Sequence, residues 1–160
     1  MDNIVRIAFI GLAVLLAANT DVRAAQRSDE MAVGNYSVAA NKALLRAERG
    51  NAQAQAILGF VYEHGRGVPQ NYAAAVRWYM SAAEQGYPTA QYLLGLMYDK
   101  GLGVMKNDVL AYKWFNLAAA YAQPGAREHY QRIRDAVAAK LTTKQVAEAQ
   151  WLASGFVPRR

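Results

Sequence analysis

Residues 51–86 read NAQAQAILGFVYEHGRGVPQNYAAAVRWYMSAAEQG, and residues 87–122 read YPTAQYLLGLMYDKGLGVMKNDVLAYKWFNLAAAYA. Aligned without a gap at a spacing of 36, the two stretches share 13 identical positions. The shared residues are mostly alanine, glycine, tyrosine and tryptophan, and they include the pairs Gln55/Gln91 and Asn71/Asn107. A fixed period of roughly 20–50 residues is typical of a protein that stacks one supersecondary unit. The period therefore predicts a repeat solenoid.

Each unit is predicted to be two helices joined by a glycine turn. Ala54, Leu58 and Tyr62 lie four residues apart, which is the spacing of a buried stripe on one helix, here called helix A. The stretch Gly65-Arg66-Gly67 ends helix A, because glycine tolerates the positive φ angles of a tight turn. Asn71 is the predicted N-cap of the second helix, helix B. The predicted buried side of helix B carries Ala75, Trp78, Tyr79, Ala82 and Ala83.

The pattern extends on both sides of the two full units, residues 51–86 and 87–122. Residues 35–50 form a predicted half repeat, a copy of helix B. Residues 123–156 form a predicted degenerate C-terminal cap with helices over about 126–140 and 143–153, the second starting at a Thr142/Gln145 capping box. Residues 25–34 and 157–160 are expected to be loose tails. The predicted fold is all-α, a short solenoid of helix–turn–helix units.

Residues 1–24 have the layout of a secretory signal peptide. Arg6 precedes an apolar run over residues 7–18, and small residues flank a cleavage point after Ala24. The run is shorter than the roughly 20 residues that a membrane-spanning helix needs. We therefore expect export, most simply to the bacterial periplasm, without stable membrane insertion after cleavage. An uncleaved anchor is the alternative.

The composition argues against a nucleic-acid partner and against disulfide bonds. The formal net charge is +6, from 18 Lys and Arg against 12 Asp and Glu. The basic residues are scattered and are not interleaved with aromatic residues, so no nucleic-acid partner is expected. The chain has no cysteine, which excludes stabilisation by a disulfide.

The repeated residues resemble a known family. Each unit contains Ala-Gln-x-x-Leu-Gly-x-x-Tyr-x-x-Gly-x-Gly-Val and then Ala-x-x-Trp-Tyr/Phe-x-x-Ala-Ala. This pattern resembles the Sel-one-like repeat family, a relative of the tetratricopeptide repeat, and the C-terminal stretch is similar to that of small exported proteobacterial members. The resemblance implies a right-handed α/α superhelix that binds proteins, with helix A on its concave face. Some relatives carry a disulfide in each unit, and some have been linked to penicillin binding or β-lactam hydrolysis. This chain has no cysteine.

The candidate binding surface is the face of helix A opposite the repeated stripe. Positions there that met only water should be polar, yet several of them are large and apolar. Contact between neighbouring A helices is one explanation, and an apolar groove for a helix or an extended peptide is the other. The candidate protein-binding residues are Gln53, Ile57, Phe60, His64, Thr89, Tyr92, Leu93, Leu96 and Lys100.

We expect no catalytic, cofactor or metal site. His64 and His129 are far apart in the sequence, whereas a metal usually takes three or four clustered ligands. The glycine turns lack the strand and the lysine of a phosphate-binding loop. The first hypothesis is therefore an exported, non-enzymatic scaffold that binds a peptide or protein partner. The alternatives are a cell-wall or β-lactam hydrolase, which the resemblance permits, and a self-associating structural subunit of an envelope complex.

Overall fold

The computed structural model describes residue 38 and residues 40–159, and these residues form seven helices and no strand. The predicted signal peptide, the segment 25–34 and the start of the half repeat lie outside the described residues. The all-α solenoid is confirmed, since consecutive helices from the second to the sixth pack side by side. The helices are α1 (residues 40–48), α2 (Ala52–His64), α3 (Tyr72–Glu84), α4 (Pro88–Lys100), α5 (Asp108–Tyr121), α6 (Pro124–Ala138) and α7 (Thr143–Ser154).

The ends of the central helices follow from the repeated asparagines and glycines. The side chain of Asn71 accepts a hydrogen bond from the backbone N–H of Ala74 at 2.9 Å, which confirms the predicted N-cap of α3. Asn107 caps α5 in the same way. Gly65 ends α2 in the left-handed conformation with φ 65°, as Gly101 ends α4 with φ 70°. Helices α2 and α4 are therefore the A helices of the two full units, and α3 and α5 are the B helices.

Aromatic side chains of helix B pack directly on the glycines of helix A. A Cβ atom added to Gly59 would lie 2.5 Å from the ring of Tyr79, and one added to Gly95 would lie 2.7 Å from the ring of Phe115. Trp114 is buried as predicted, with 4% of its surface exposed. Trp78 was predicted to be buried too, but it is only half-buried. It packs against the small cluster at the α1 end of the array, where less structure covers it.

Helices α6 and α7 form the C-terminal cap. Helix α6 begins at Pro124, two residues earlier than predicted, because proline suits the first turn of a helix. The capping box of Thr142 and Gln145 at the start of α7 is present. Helix α7 packs against α5, where Ala149 is fully buried. The cap thus covers the end of the second full unit.

The prediction of a loose C-terminal tail is wrong for residues 157–159. The backbone N–H of Arg159 donates to the carbonyl oxygen of Glu84 at 2.8 Å, and its guanidinium pairs with the Glu84 carboxylate at 2.8 Å. Pro158 lies against Gly86, and Phe156 packs edge-on against Trp114. The segment is held because the end of α3 and the aromatic surface of α5 both contact it.

Candidate functional site

A hollow of about 220 Å³ opens between α2 and α4, on the face that the sequence analysis selected. Five of the nine candidate residues line it. We call it the A-helix hollow, and its lining residues are Gln53, Ala56, Ile57, Phe60, Tyr87, Thr89 and Leu93. Because the lining comes from two consecutive units, the hollow exists only where the repeat stacks.

The A-helix hollow is apolar and open to solvent. Ala56 is buried, while Phe60 and Leu93 are half-buried and pack against the main core. Ile57 keeps 47% of its surface exposed, although it is a large aliphatic residue. Gln53 and Thr89 provide uncharged polar groups and are both exposed. The hollow can accept an apolar side chain between these groups while the helices stay folded.

A histidine and an arginine border the hollow at Phe60. The imidazole of His64 lies 4.1 Å from the Phe60 ring between centroids, and its Nδ1 is 3.1 Å from the Phe60 carbonyl oxygen. The guanidinium of Arg66 lies 4.8 Å from the centroid of the same ring, within the range of a cation–π interaction. The side chain of Phe60 is therefore held in place at the edge of the hollow.

A second hollow of about 330 Å³ lies between α1 and α2. We call it the basic hollow, because Lys42 and Arg46 of α1 line it. Gln53 and Ile57 belong to both linings, so the two hollows meet at these residues. Lys42 and Arg46 were not among the residues predicted to bind a protein. One feature of the sequence could have pointed to Lys42: it occupies the position at which the later B helices carry tryptophan.

The remaining candidate residues lie outside the two hollows. Tyr92 stacks on Tyr130 of α6 with 4.8 Å between ring centroids, and burial raises its pKa above the usual value, with a smaller contribution from Tyr130. Leu96 packs against the cluster that joins α5, α6 and α7. His64 and Lys100 are exposed at the C-terminal ends of their helices.

Of the two explanations for the apolar face of helix A, contact with another helix applies at Tyr92 and Leu96. The cap helix α6 lies beside α4 in the place of a further helix A, and its side chains cover this part of the face. Whether the other candidates bind a protein stays a prediction.

The histidines lie in separate surroundings. His129 of α6 has its Nε2 3.4 Å from the hydroxyl of Tyr92, whereas His64 contacts Phe60. Within residues 38 and 40–159, no group of three or more acidic or histidine residues is arranged to hold a metal ion. The same residues include no helix with the length and hydropathy of a membrane span.

The two helical pairs match a described repeat. The model of the Sel1 repeat matches residues 52–87 and 88–120, which are α2–α3 and α4–α5. The chain carries two Sel1 repeats. The Sel1 repeat is generally a scaffold for protein–protein interaction, and the family is typically non-enzymatic. No curated protein is significantly similar to the chain.

Solved structures that are similar to this chain include two repeat proteins. One is c5321, a protective antigen present in uropathogenic Escherichia coli strains that displays an SLR fold. It is 34% identical with a TM-score of 0.64, over 69% of this chain and 23% of that one. The other is a Sel1 repeat protein from Oxalobacter formigenes, 48% identical with a TM-score of 0.44, over 44% of this chain and 28% of that one. The chain thus spans about a quarter of the length of each.

Proposed function

We propose that the protein is an exported, non-enzymatic interaction module that binds a peptide or protein segment in the A-helix hollow. The proposal rests mainly on Ile57, a large apolar residue that is 47% exposed and lines an apolar hollow built by two consecutive repeats. Binding would remove this apolar surface from water, which is the main favourable term in protein association. The uncharged Gln53 and Thr89 would form hydrogen bonds at the edge.

Export to the periplasm is the second part of the proposal. It rests on the signal-peptide layout of residues 1–24. Cell fractionation with an antibody against residues of α7 tests it. A mature form shortened at the N-terminus in the periplasmic fraction is expected, and full-length protein in the cytoplasm contradicts export.

A capture experiment tests the binding face. The purified protein and an Ile57→Asp/Thr89→Asp variant are used as baits in envelope extract, and captured proteins are then purified and titrated by calorimetry. The two aspartates place charge in an apolar site without replacing a buried core residue, so the variant is expected to keep its circular dichroism spectrum and to lose the partner.

Ala147→Asp is the matched control, since Ala147 is exposed on α7, outside both hollows. It is expected to retain the partner. A partner that binds all three proteins with equal affinity shows that the A-helix hollow is not the binding site.

A further inference from the structure

The charged side chains that line the two hollows are all positive. Lys42 and Arg46 of the basic hollow are both exposed and form no ion pair with a described residue. Among the described residues that line either hollow, none is acidic. Arg66 lies at the other edge of the A-helix hollow, beside Phe60. A ligand that fills the A-helix hollow therefore has positive side chains on both sides.

We propose that the two hollows together bind an extended, acidic segment of a partner protein. A large apolar side chain of the segment enters the A-helix hollow. The segment then passes over Ile57, and one of its carboxylates pairs with Lys42 and Arg46 in the basic hollow. The inference rests on the proposed function and adds the chemistry of the partner. Its basis is the shared wall of the two hollows, which places an apolar subsite and a cationic subsite next to each other.

The geometry of an extended chain defines the motif. Side chains alternate between the two faces of a strand, so an apolar residue and a carboxylate that face the same way are separated by one residue. The segment is thus acidic–x–apolar in one direction or the other. The carboxylate would raise the association rate and make binding dependent on salt, because exposed charge pairs are screened by ions.

An anionic membrane surface is the competing ligand, since it also combines negative charge with apolar chains. The structure favours a peptide because the apolar residues line a hollow of about 220 Å³, which suits one side chain, and do not form a protruding surface. Vesicles of anionic phospholipid are therefore included as a probe.

The test uses a short fluorescein-labelled peptide with one leucine and an aspartate on each side, each separated from it by one glycine. Matched peptides carry lysine for aspartate or serine for leucine. Fluorescence anisotropy is measured with the protein and with its Arg46→Glu and Arg77→Glu variants. Arg77→Glu is the control, because Arg77 is an exposed cation on α3.

We expect the lysine peptide to bind at least about ten-fold more weakly than the aspartate peptide. We expect Arg46→Glu to weaken binding of the aspartate peptide about three- to ten-fold. Arg77→Glu should leave binding unchanged.

Equal affinities for the aspartate and lysine peptides overturn the proposal. So does vesicle binding that Arg46→Glu abolishes, which would assign the surface to a membrane. Self-association in sedimentation that Arg46→Glu abolishes would assign it to a second copy of the chain. The result also separates this inference from the proposed function. If the captured partner is lost with Ile57→Asp/Thr89→Asp but kept with Arg46→Glu, the binding face stands and the acidic motif is wrong.

Discussion

Gly59 and Gly95 decide how closely the two helices of each unit approach. Each glycine lies under an aromatic ring of the facing helix, Tyr79 in the first unit and Phe115 in the second. Both rings are fully buried. Glycine inside a helix costs roughly 1 kcal/mol relative to alanine. The contact with the ring offsets this cost, which explains why glycine occurs at the same position of both units.

Replacing Gly59 by alanine is expected to lower the free energy of unfolding by about 1–3 kcal/mol, the usual cost of overpacking a core. The added methyl group would overlap the Tyr79 ring at 2.5 Å. Urea unfolding followed by circular dichroism measures the change.

Gly125→Ala in α6 is the control, because a Cβ atom there meets nothing within 4 Å. It should leave stability unchanged or raise it by up to about 1 kcal/mol. Equal effects of the two substitutions would show that the close contact at Gly59 is unimportant.

Buried polar side chains connect each helix A to its neighbours. The side-chain amide of Gln55 donates to the carbonyl oxygen of Ala47 at 3.0 Å, and that of Gln91 donates to the carbonyl oxygen of Ala83 at 3.2 Å. Each of these carbonyl groups lies at the end of a helix and also accepts a hydrogen bond from a turn glycine, Gly50 or Gly86, so the repeated glutamine adds a second bond at each junction. In the cap, Arg127 of α6 occupies the equivalent position and donates instead to the carbonyl oxygen of Ala122, just after α5, at 3.1 Å. The cap therefore makes a different hydrogen bond at this junction.

A different polar contact holds the end of α2 to α3. The hydroxyl of the buried Tyr79 donates to the carboxylate of Glu63 at 2.6 Å. Burial raises the pKa of Tyr79 far above its usual value, and the hydrogen bond and the charge of Glu63 raise it further. The second unit has Phe115 and Asp99 at these positions, and Asp99 pairs instead with Lys140 at 2.7 Å.

This contact predicts a loss of stability in alkali. An unfolded tyrosine releases its proton near pH 10, whereas folded Tyr79 keeps it, so the native state binds more protons above that pH. The contribution is complete below about pH 10 and falls by up to about 1.4 kcal/mol per pH unit above it. In urea unfolding between about pH 9 and 11, the Tyr79→Phe variant should show a shallower decline than the wild type. Tyr92 and Tyr98 are present in both proteins, so parallel declines would contradict the role of Tyr79.

At the scale of the whole molecule, the chain end stabilises the array. Phe156 packs edge-on against Trp114 and Tyr121 of α5, with 6.1 and 6.0 Å between ring centroids. Arg159 then reaches Glu84 at the end of α3. The segment thereby connects the B helices of both full units. An array with so few repeats has little core for its length, so such a connection matters.

Phe156→Ala should lower the free energy of unfolding by about 1–3 kcal/mol, less than for a fully buried phenylalanine because Phe156 is half-buried. It should also move the tryptophan fluorescence to longer wavelength as Trp114 meets water. Val157→Ala is the control, since Val157 is 80% exposed. No change in either signal for Phe156→Ala would mean that the C-terminal segment does not stabilise the fold.

The sequence by itself determined the period, the helix pairs, the asparagine caps, the glycine turns and the capping box of α7. These features depend on residues close together in the chain, whose backbone preferences act locally. It also determined the apolar face of helix A, because the hydrophobic pattern of one helix can be read without its neighbours. The signal peptide and the partner remain predictions.

Only the tertiary structure decided which parts of that face stay open. Leu93 lines the A-helix hollow while Leu96 is covered by the cap, although both lie on the same helix and have the same chemistry. The docking of residues 156–159 and the place of Lys42 and Arg46 beside Ile57 likewise depend on contacts between distant segments. The physical reason is that a residue on a helix is buried only if another helix packs opposite it. The hydrophobic pattern of one helix does not show which helix that will be.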